Sequence, residues 1–184
     1  DVDVEFQPGT IVDANGDLFS GTVTVAVTHV DPYTTELAGA PGDLTALGFD
    51  SEESSAKNTS VPTQLISYGM VDVTLTDEVG EELNMEEDTV ATGSMPITNP
   101  EGFGDLVQVS SGDEMNTWSF DRERGRWVEE GIGDVFGGEQ GLRFRFEASH
   151  FSWWNCDQGN PPSCATGRPQ SRRLSRSETR QILV

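Results

Sequence analysis

The stretch Leu142-Arg-Phe-Arg-Phe-Glu-Ala-Ser-His-Phe-Ser-Trp-Trp154 decides how this chain is read. Leu142, Phe144, Phe146, Ala148, His150, Ser152 and Trp154 alternate with Arg143, Arg145, Glu147 and Ser149, until Phe151 and Trp153 break the pattern. Side chains two apart on a strand point the same way, so this alternation predicts a long strand with one apolar face. On that reading the imidazole of His150 and the hydroxyl of Ser152 share the interior side, with the Phe151–Ser152 peptide bond between them.

Working outward, the rest of the chain reads as strand and turn. Gly21 to Val30, Met70 to Thr76, Val90 to Ile97, Thr117 to Phe120 and Arg126 to Val128 are alternating or rich in β-branched and aromatic residues. No stretch keeps a helical period. Ile11 to Phe19, Leu75 to Leu83 and Ser119 to Trp127 share one spelling, an Asp just after a strand and a Gly three or four residues later. Asp hydrogen-bonds turn amides and Gly takes the positive φ of a tight reversal, so each predicts a β-hairpin. The expected fold is an all-β, antiparallel, Greek-key-like sandwich of about eight to eleven strands. The sandwich module spans 1–157, and Leu142–Trp154 is central or next to central in it. Residues 158–184 are expected to form a Cys-ring loop and a poorly ordered Arg/Ser-rich tail.

The 184 residues carry a formal charge of −21. Binding phosphates needs clustered Lys and Arg, so nucleic acid is excluded as a partner. No run approaches the length of an apolar membrane span. The acid excess suits cationic partners, divalent ions or a saline habitat. Cys156 and Cys164, the two cysteines, flank a Gly/Asn/Pro segment that suits a small disulfide ring. That points to an oxidising compartment. A zinc site is disfavoured, because His29 and His150 fall in different strands.

His150, Phe151 and Ser152 carry the sharpest chemical reading. Ser152 Oγ would attack the Phe151 carbonyl in an N→O acyl shift, with His150 taking the hydroxyl proton and returning it to the leaving nitrogen. Water would then hydrolyse the ester. A positioned base contributes ~10²–10⁴-fold, and the nucleophile is already next to its target. Strain of about 1–3 kcal/mol in the peptide and an oxyanion donor are also required, and Asn155 is a candidate donor. The plainer alternative is a hydrogen-bonded core histidine beside a small strand residue. Asp13, Asn15 and Asp17 invite a calcium reading, but Gly16 falls fourth instead of sixth, and Asn15-Gly16 is a hairpin signal. The acidic runs near residues 50–53 and 81–88 read as solvated faces. Trp118, Trp127, Trp153 and Trp154 read as core before they read as a sugar platform. Asn58-Thr59-Ser60 fits a glycosylation sequon.

Tyr68-Gly-Met-Val-Asp-Val73, Trp118-Ser-Phe-Asp121, Gly125-Arg-Trp-Val-Glu-Glu-Gly131 and Ser149-His-Phe-Ser-Trp-Trp-Asn-Cys-Asp157 together resemble a family of secreted β-rich modules. Its relatives occur in cartilage intermediate layer protein, astroprincin-type proteins and bacterial surface proteins. His150-Phe151-Ser152 is also similar to the self-cleavage motif of ankyrin/netrin-receptor-type, nucleoporin and GAIN domains. The resemblance implies an extracellular or cell-surface module cleaving itself between Phe151 and Ser152. It assigns His150 as base, Phe151 as acyl donor and Ser152 as nucleophile. The alternatives are a non-catalytic structural or adhesion module beside neighbouring domains of a larger surface protein, or a calcium- or glycan-binding domain. Apart from possible Ca²⁺, no cofactor is expected.

Overall fold

The computed structural model describes residues 1–48, 61–101, 108–139, 141–160 and 179–183. Among them the chain forms twelve strands and one short 3₁₀ turn, Thr35–Gly39. The strands are β1 (Asp3–Glu5), β2 (Ile11–Val12), β3 (Thr24–Val30), β4 (Thr45–Gly48), β5 (Val61–Thr76) and β6 (Glu82–Met85). They continue with β7 (Ala91–Pro96), β8 (Glu114–Asp121), β9 (Arg126–Gly138), β10 (Gly141–Ala148), β11 (Trp153–Asn160) and β12 (Thr179–Leu183).

The main path of pairing runs β1-β7-β10-β9-β8-β11-β5-β3-β12 and is antiparallel throughout. β9 is the hinge of this sheet. Arg126 to Asp134 pair with β8, and Asp134 to Gly138 pair with β10. The sheet therefore folds over along β9 into a sandwich-like fold, with β1, β7 and β10 on one side and β8, β11, β5 and β3 on the other.

Between these halves lies the larger core. It joins Met95, Val135, Phe144 and Phe146 to Tyr68, Val71, Val73 and Trp154. Phe144 and Phe146 stack with centroids 6.2 Å apart, and Phe146 stacks on Trp154 at 5.6 Å. Glycine is needed beside these rings: a Cβ on Gly93 would sit 2.4 Å from Phe146 Cζ, and one on Gly133 would sit 2.3 Å from the Arg145 carbonyl oxygen.

A second, smaller core lies on the other face of the β5-β11-β8 half. It holds Val30, Ala46, Leu65, Met70, Trp118 and Trp127. β4 covers it, pairing antiparallel with β5 and parallel with β9 at Ala46–Trp127 and Leu47–Val128. The pairings β4-β5-β11-β8-β9-β4 thus make a closed circuit of strands.

The three turns sharing one spelling are all reversals. Asp13 Oδ1 accepts the amides of Asn15 and Asp17 at 2.8 and 3.1 Å, and Gly16 lies at φ +83°. Asp77 repeats this with Val79 and Glu81, both at 2.9 Å, and Gly80 at φ +91°. Asp121 accepts from Glu123 and Arg124 at the β8–β9 turn.

Two expectations need correction. Leu142 to Trp154 is not one strand: pairing stops at Ala148 and resumes at Trp153. The reason is topological, because β10 pairs with β7 and β9 while β11 pairs with β5 and β8, so Ser149 to Ser152 carry the chain from one layer to the other. The expected Cys156–Cys164 ring is not formed either: Cys156 is a free, buried thiol, and Cys164 lies outside the described residues. β11 continues to Asn160, so the start of the expected loop is used in pairing with Gln64 to Ser67 of β5. Thr179–Leu183 of the expected tail lies along β3 as β12.

Candidate functional site

The corner Ser149–Ser152 holds the three residues singled out by the sequence. His150 is partly exposed, its side chain at 39%, and its ring lies 5.1 Å from that of Trp154. Its Nε2 faces Glu130 Oε1 at 3.7 Å, an ion-pair distance when the imidazole is protonated but longer than a hydrogen bond. The same Glu130 oxygen accepts the Ser119 hydroxyl at 2.7 Å. The neighbouring His150 imidazole, then the Ser119 hydroxyl, hold the Glu130 carboxyl below its ordinary value against the opposing effect of burial.

Ser152 is buried, 6% exposed. Its Oγ donates to the Phe120 carbonyl at 3.0 Å, and its own carbonyl accepts from the Val73 amide at 3.3 Å. Phe151 is half-buried, packs on the larger core and meets Phe6 with centroids 5.3 Å apart. Beside it is a hollow of about 30 Å³, lined by Leu75, Leu83, Asn84 and Arg122 among others. That volume accommodates a water molecule.

The corner thus gathers a carboxylate-flanked imidazole, a buried hydroxyl and a water-sized space. The hydroxyl proton, however, is directed at Phe120 and the imidazole at Glu130. An acyl shift from this arrangement needs Ser152 to release Phe120 and His150 to turn toward it.

Asn155, the candidate oxyanion donor, is committed elsewhere. It is fully buried in β11, accepts the Ser67 hydroxyl at 2.6 Å and donates to Asp157 Oδ2 at 3.3 Å. Asp157 is itself buried, and its Oδ1 has no hydrogen-bond partner. Burial pushes its carboxyl well above the ordinary aspartate range. Two indole nitrogens, those of Trp118 and Trp127, are likewise buried without a partner.

Sequence reasoning missed Glu130, Ser119 and the Ser67–Asn155–Asp157 network. Two bulges explain this. Tyr68 is an extra residue in β5 opposite the Cys156/Asp157 step, and Glu130 is an extra residue in β9 opposite the Thr117/Trp118 step. Each shifts the side-chain alternation by one, which simple period-two counting does not follow.

The remaining candidates are placed as follows. The Asp13 carboxylate caps its own turn and is held below its ordinary value, chiefly by the Asn15 amide. Asn15 and Asp17 supply amides to that turn. Among the described residues no group of three or more His, Cys, Asp or Glu is arranged to hold a metal ion. His29 is paired through Nε2 with the Pro96 carbonyl at 3.0 Å, and burial lowers its pKa. Cys156 Sγ donates to the Gly69 carbonyl at 3.4 Å, and burial pushes its thiol pKa up. Trp118, Trp127 and Trp154 are buried in the two cores, and Trp153 packs against the smaller one. The sequon at 58–60 lies outside the described residues. No helix among the described residues is long and apolar enough to cross a membrane.

Comparison with protein-family models, with curated proteins and with solved structures finds no match.

Proposed function

We propose that this chain is a non-catalytic structural or adhesion module of an extracellular or cell-surface protein, packed beside neighbouring domains of the same polypeptide. The observation that supports this reading over self-cleavage is the separate engagement of Ser152 and His150. The Ser152 hydroxyl bonds the Phe120 carbonyl, and the imidazole faces Glu130. In these positions both groups serve the corner between β10 and β11. The hydroxyl ties it to the end of β8, and the histidine ring covers Trp154.

The test is intact-mass spectrometry of the full chain under denaturing conditions, after incubation between mildly acidic and mildly alkaline pH. The expected result is one mass, that of the uncut chain, at every pH. Ser152→Ala removes this donor from the part-buried Phe120 carbonyl and is expected to cost about 0.5–1.5 kcal/mol in urea unfolding. His150→Ala is expected to cost less, because that side chain is partly exposed.

Self-cleavage is the second reading. Its support is the flanking of the base by a carboxylate, the water-sized hollow beside Phe151 and the position of the bond in a layer crossing outside regular pairing. Two fragments divided between Phe151 and Ser152, abolished by both Ser152→Ala and His150→Ala, would establish it and overturn the first reading.

A further inference from the structure

Thr34 to Gly42 lie over the smaller core as a strap. Leu37, Ala40 and Leu44 pack against the cluster that holds Trp118 and Trp127. A Cβ built on Gly42 would stand 3.0 Å from Phe120 Cε2 and 3.9 Å from Trp127 Nε1, so the strap crosses the edge-to-face Phe120–Trp127 pair. The indole nitrogen is the part of Trp127 beneath it. That nitrogen has no hydrogen-bond partner, although Trp127 is fully buried. Ala40 has φ −73° and ψ 148°, the polyproline II values that a residue before proline favours, and Pro41 follows it.

Little holds the strap down. Its ends are clamped: the Tyr33 hydroxyl donates to the Ser67 carbonyl at 2.8 Å, and the Leu44 carbonyl accepts the Leu65 amide at 2.9 Å. Between these clamps, among the described residues, the hydrogen bonds of Thr34 to Gly42 stay within the strap or reach back to Asp31. The 3₁₀ turn Thr35–Gly39 buries no residue. Leu44 sits at φ +61°, a conformation costly for a bulky residue and found at ligand clamps and switch segments. Segments with few buried contacts open at the least cost. The closed form also leaves the Trp127 N–H without an acceptor, which disfavours it.

We propose that the Phe120–Trp127 groove beneath this strap is a docking site for an extended, proline-bearing segment of a partner protein with Arg or Lys beside its prolines, and that the strap is its internal stand-in. A polyproline II chain makes no hydrogen bonds of its own, so its carbonyls are free to accept, and it docks on aromatic-lined grooves. The strap supplies the extended step and the proline but leaves the indole N–H unanswered. A partner's carbonyl answers it. The formal charge of −21, with Glu36 on the strap and Asp43 beside its hinge, draws in a cationic partner.

The experiment is calorimetric titration of the full chain with a synthetic peptide of repeated Pro-Pro-Ala carrying Arg at both ends. The parent is expected to bind it, and to bind it more weakly as salt rises. Leu37→Ser loosens the strap without changing the groove. It is expected to tighten binding, because apparent affinity scales with the open fraction. Trp127→Phe keeps an aromatic ring and removes the N–H. It is expected to weaken binding about tenfold, the scale of one hydrogen bond at a buried donor. Circular dichroism checks that both variants are folded. Failure of both the parent and Leu37→Ser to bind overturns the proposal. So does equal binding of a control peptide with Ala at every Pro, or binding unchanged in Trp127→Phe. Leu37→Ser binding no tighter than the parent removes the strap from it. A neutral oligosaccharide that binds in a Trp127-dependent way where the peptide does not would make the groove a sugar platform instead.

Discussion

Asp157 carries a carboxyl inside the fold with one oxygen bonded to Asn155 and the other without a partner. Its folded pKa stands well above the ordinary 3.8 because burial disfavours the charged form. The folded chain therefore keeps a proton that the unfolded chain releases. This contribution to stability is complete below about pH 3.8 and declines as pH rises toward the folded value. Asp157→Asn removes the ionisation. It is expected to match the parent near pH 4 and to exceed it in urea midpoint near pH 8. His29 acts in the opposite sense. Its half-buried, neutral ring gives stability that is complete above its ordinary 6.5 and is lost as pH falls toward its folded value. A urea series across pH, with parent and Asp157→Asn side by side, separates the two. Neither group's partners were legible in the sequence. Ser67, Asn155 and Asp157 meet across a bulge, and no residue spelling announces where an extra residue is inserted. The Phe151 and Trp153 departures from alternation were legible; Phe151 lies in the crossing that follows β10, and Trp153 opens β11.

The Asp-capped turns are the elements whose sequence and structure agree most closely. Asp13 and Asp77 each receive two amides, from the residues two and four further on, and each is followed by a Gly with positive φ. The chemistry is local, so it was readable without knowing the tertiary fold. Asp77→Ala removes both bonds at the β5–β6 turn and is expected to cost about 1 kcal/mol in urea unfolding, the scale of one exposed turn bond after exchange with water. The neighbouring Glu78→Ala is expected to stay within about 0.5 kcal/mol of the parent. If both variants cost the same, the turn owes nothing to the carboxylate. The β10–β11 junction was harder to read, because what separates these strands is the choice of partners. Each takes one partner that lies far away in sequence, β7 for β10 and β5 for β11, and alternation alone does not say which sheet half a strand joins.

For the whole molecule, all-β architecture was evident from composition and alternation, while the folding-over of the sheet along β9 was not. A thirteen-residue strand that pairs with β8, β10 and β4 looks locally like a hairpin arm. The charge of −21 acts at this scale too. Self-repulsion of the compact chain is relieved by screening, so the thermal midpoint is expected to rise between about 0.01 M and about 0.15 M salt, as the Debye length falls from about 30 to about 8 Å. Calcium chloride at matched ionic strength is expected to give the same midpoint as sodium chloride, and an added calcium-specific increase would restore a metal reading of the acidic turns. The order of strands across the sheet has one last consequence. β1 and β12 sit at its opposite ends, while β11 is gripped on both flanks. Stretching the molecule by those two outermost strands would peel them away a few bonds at a time, at low force. The interior strands would hold, so the module would lengthen under load before it ruptured.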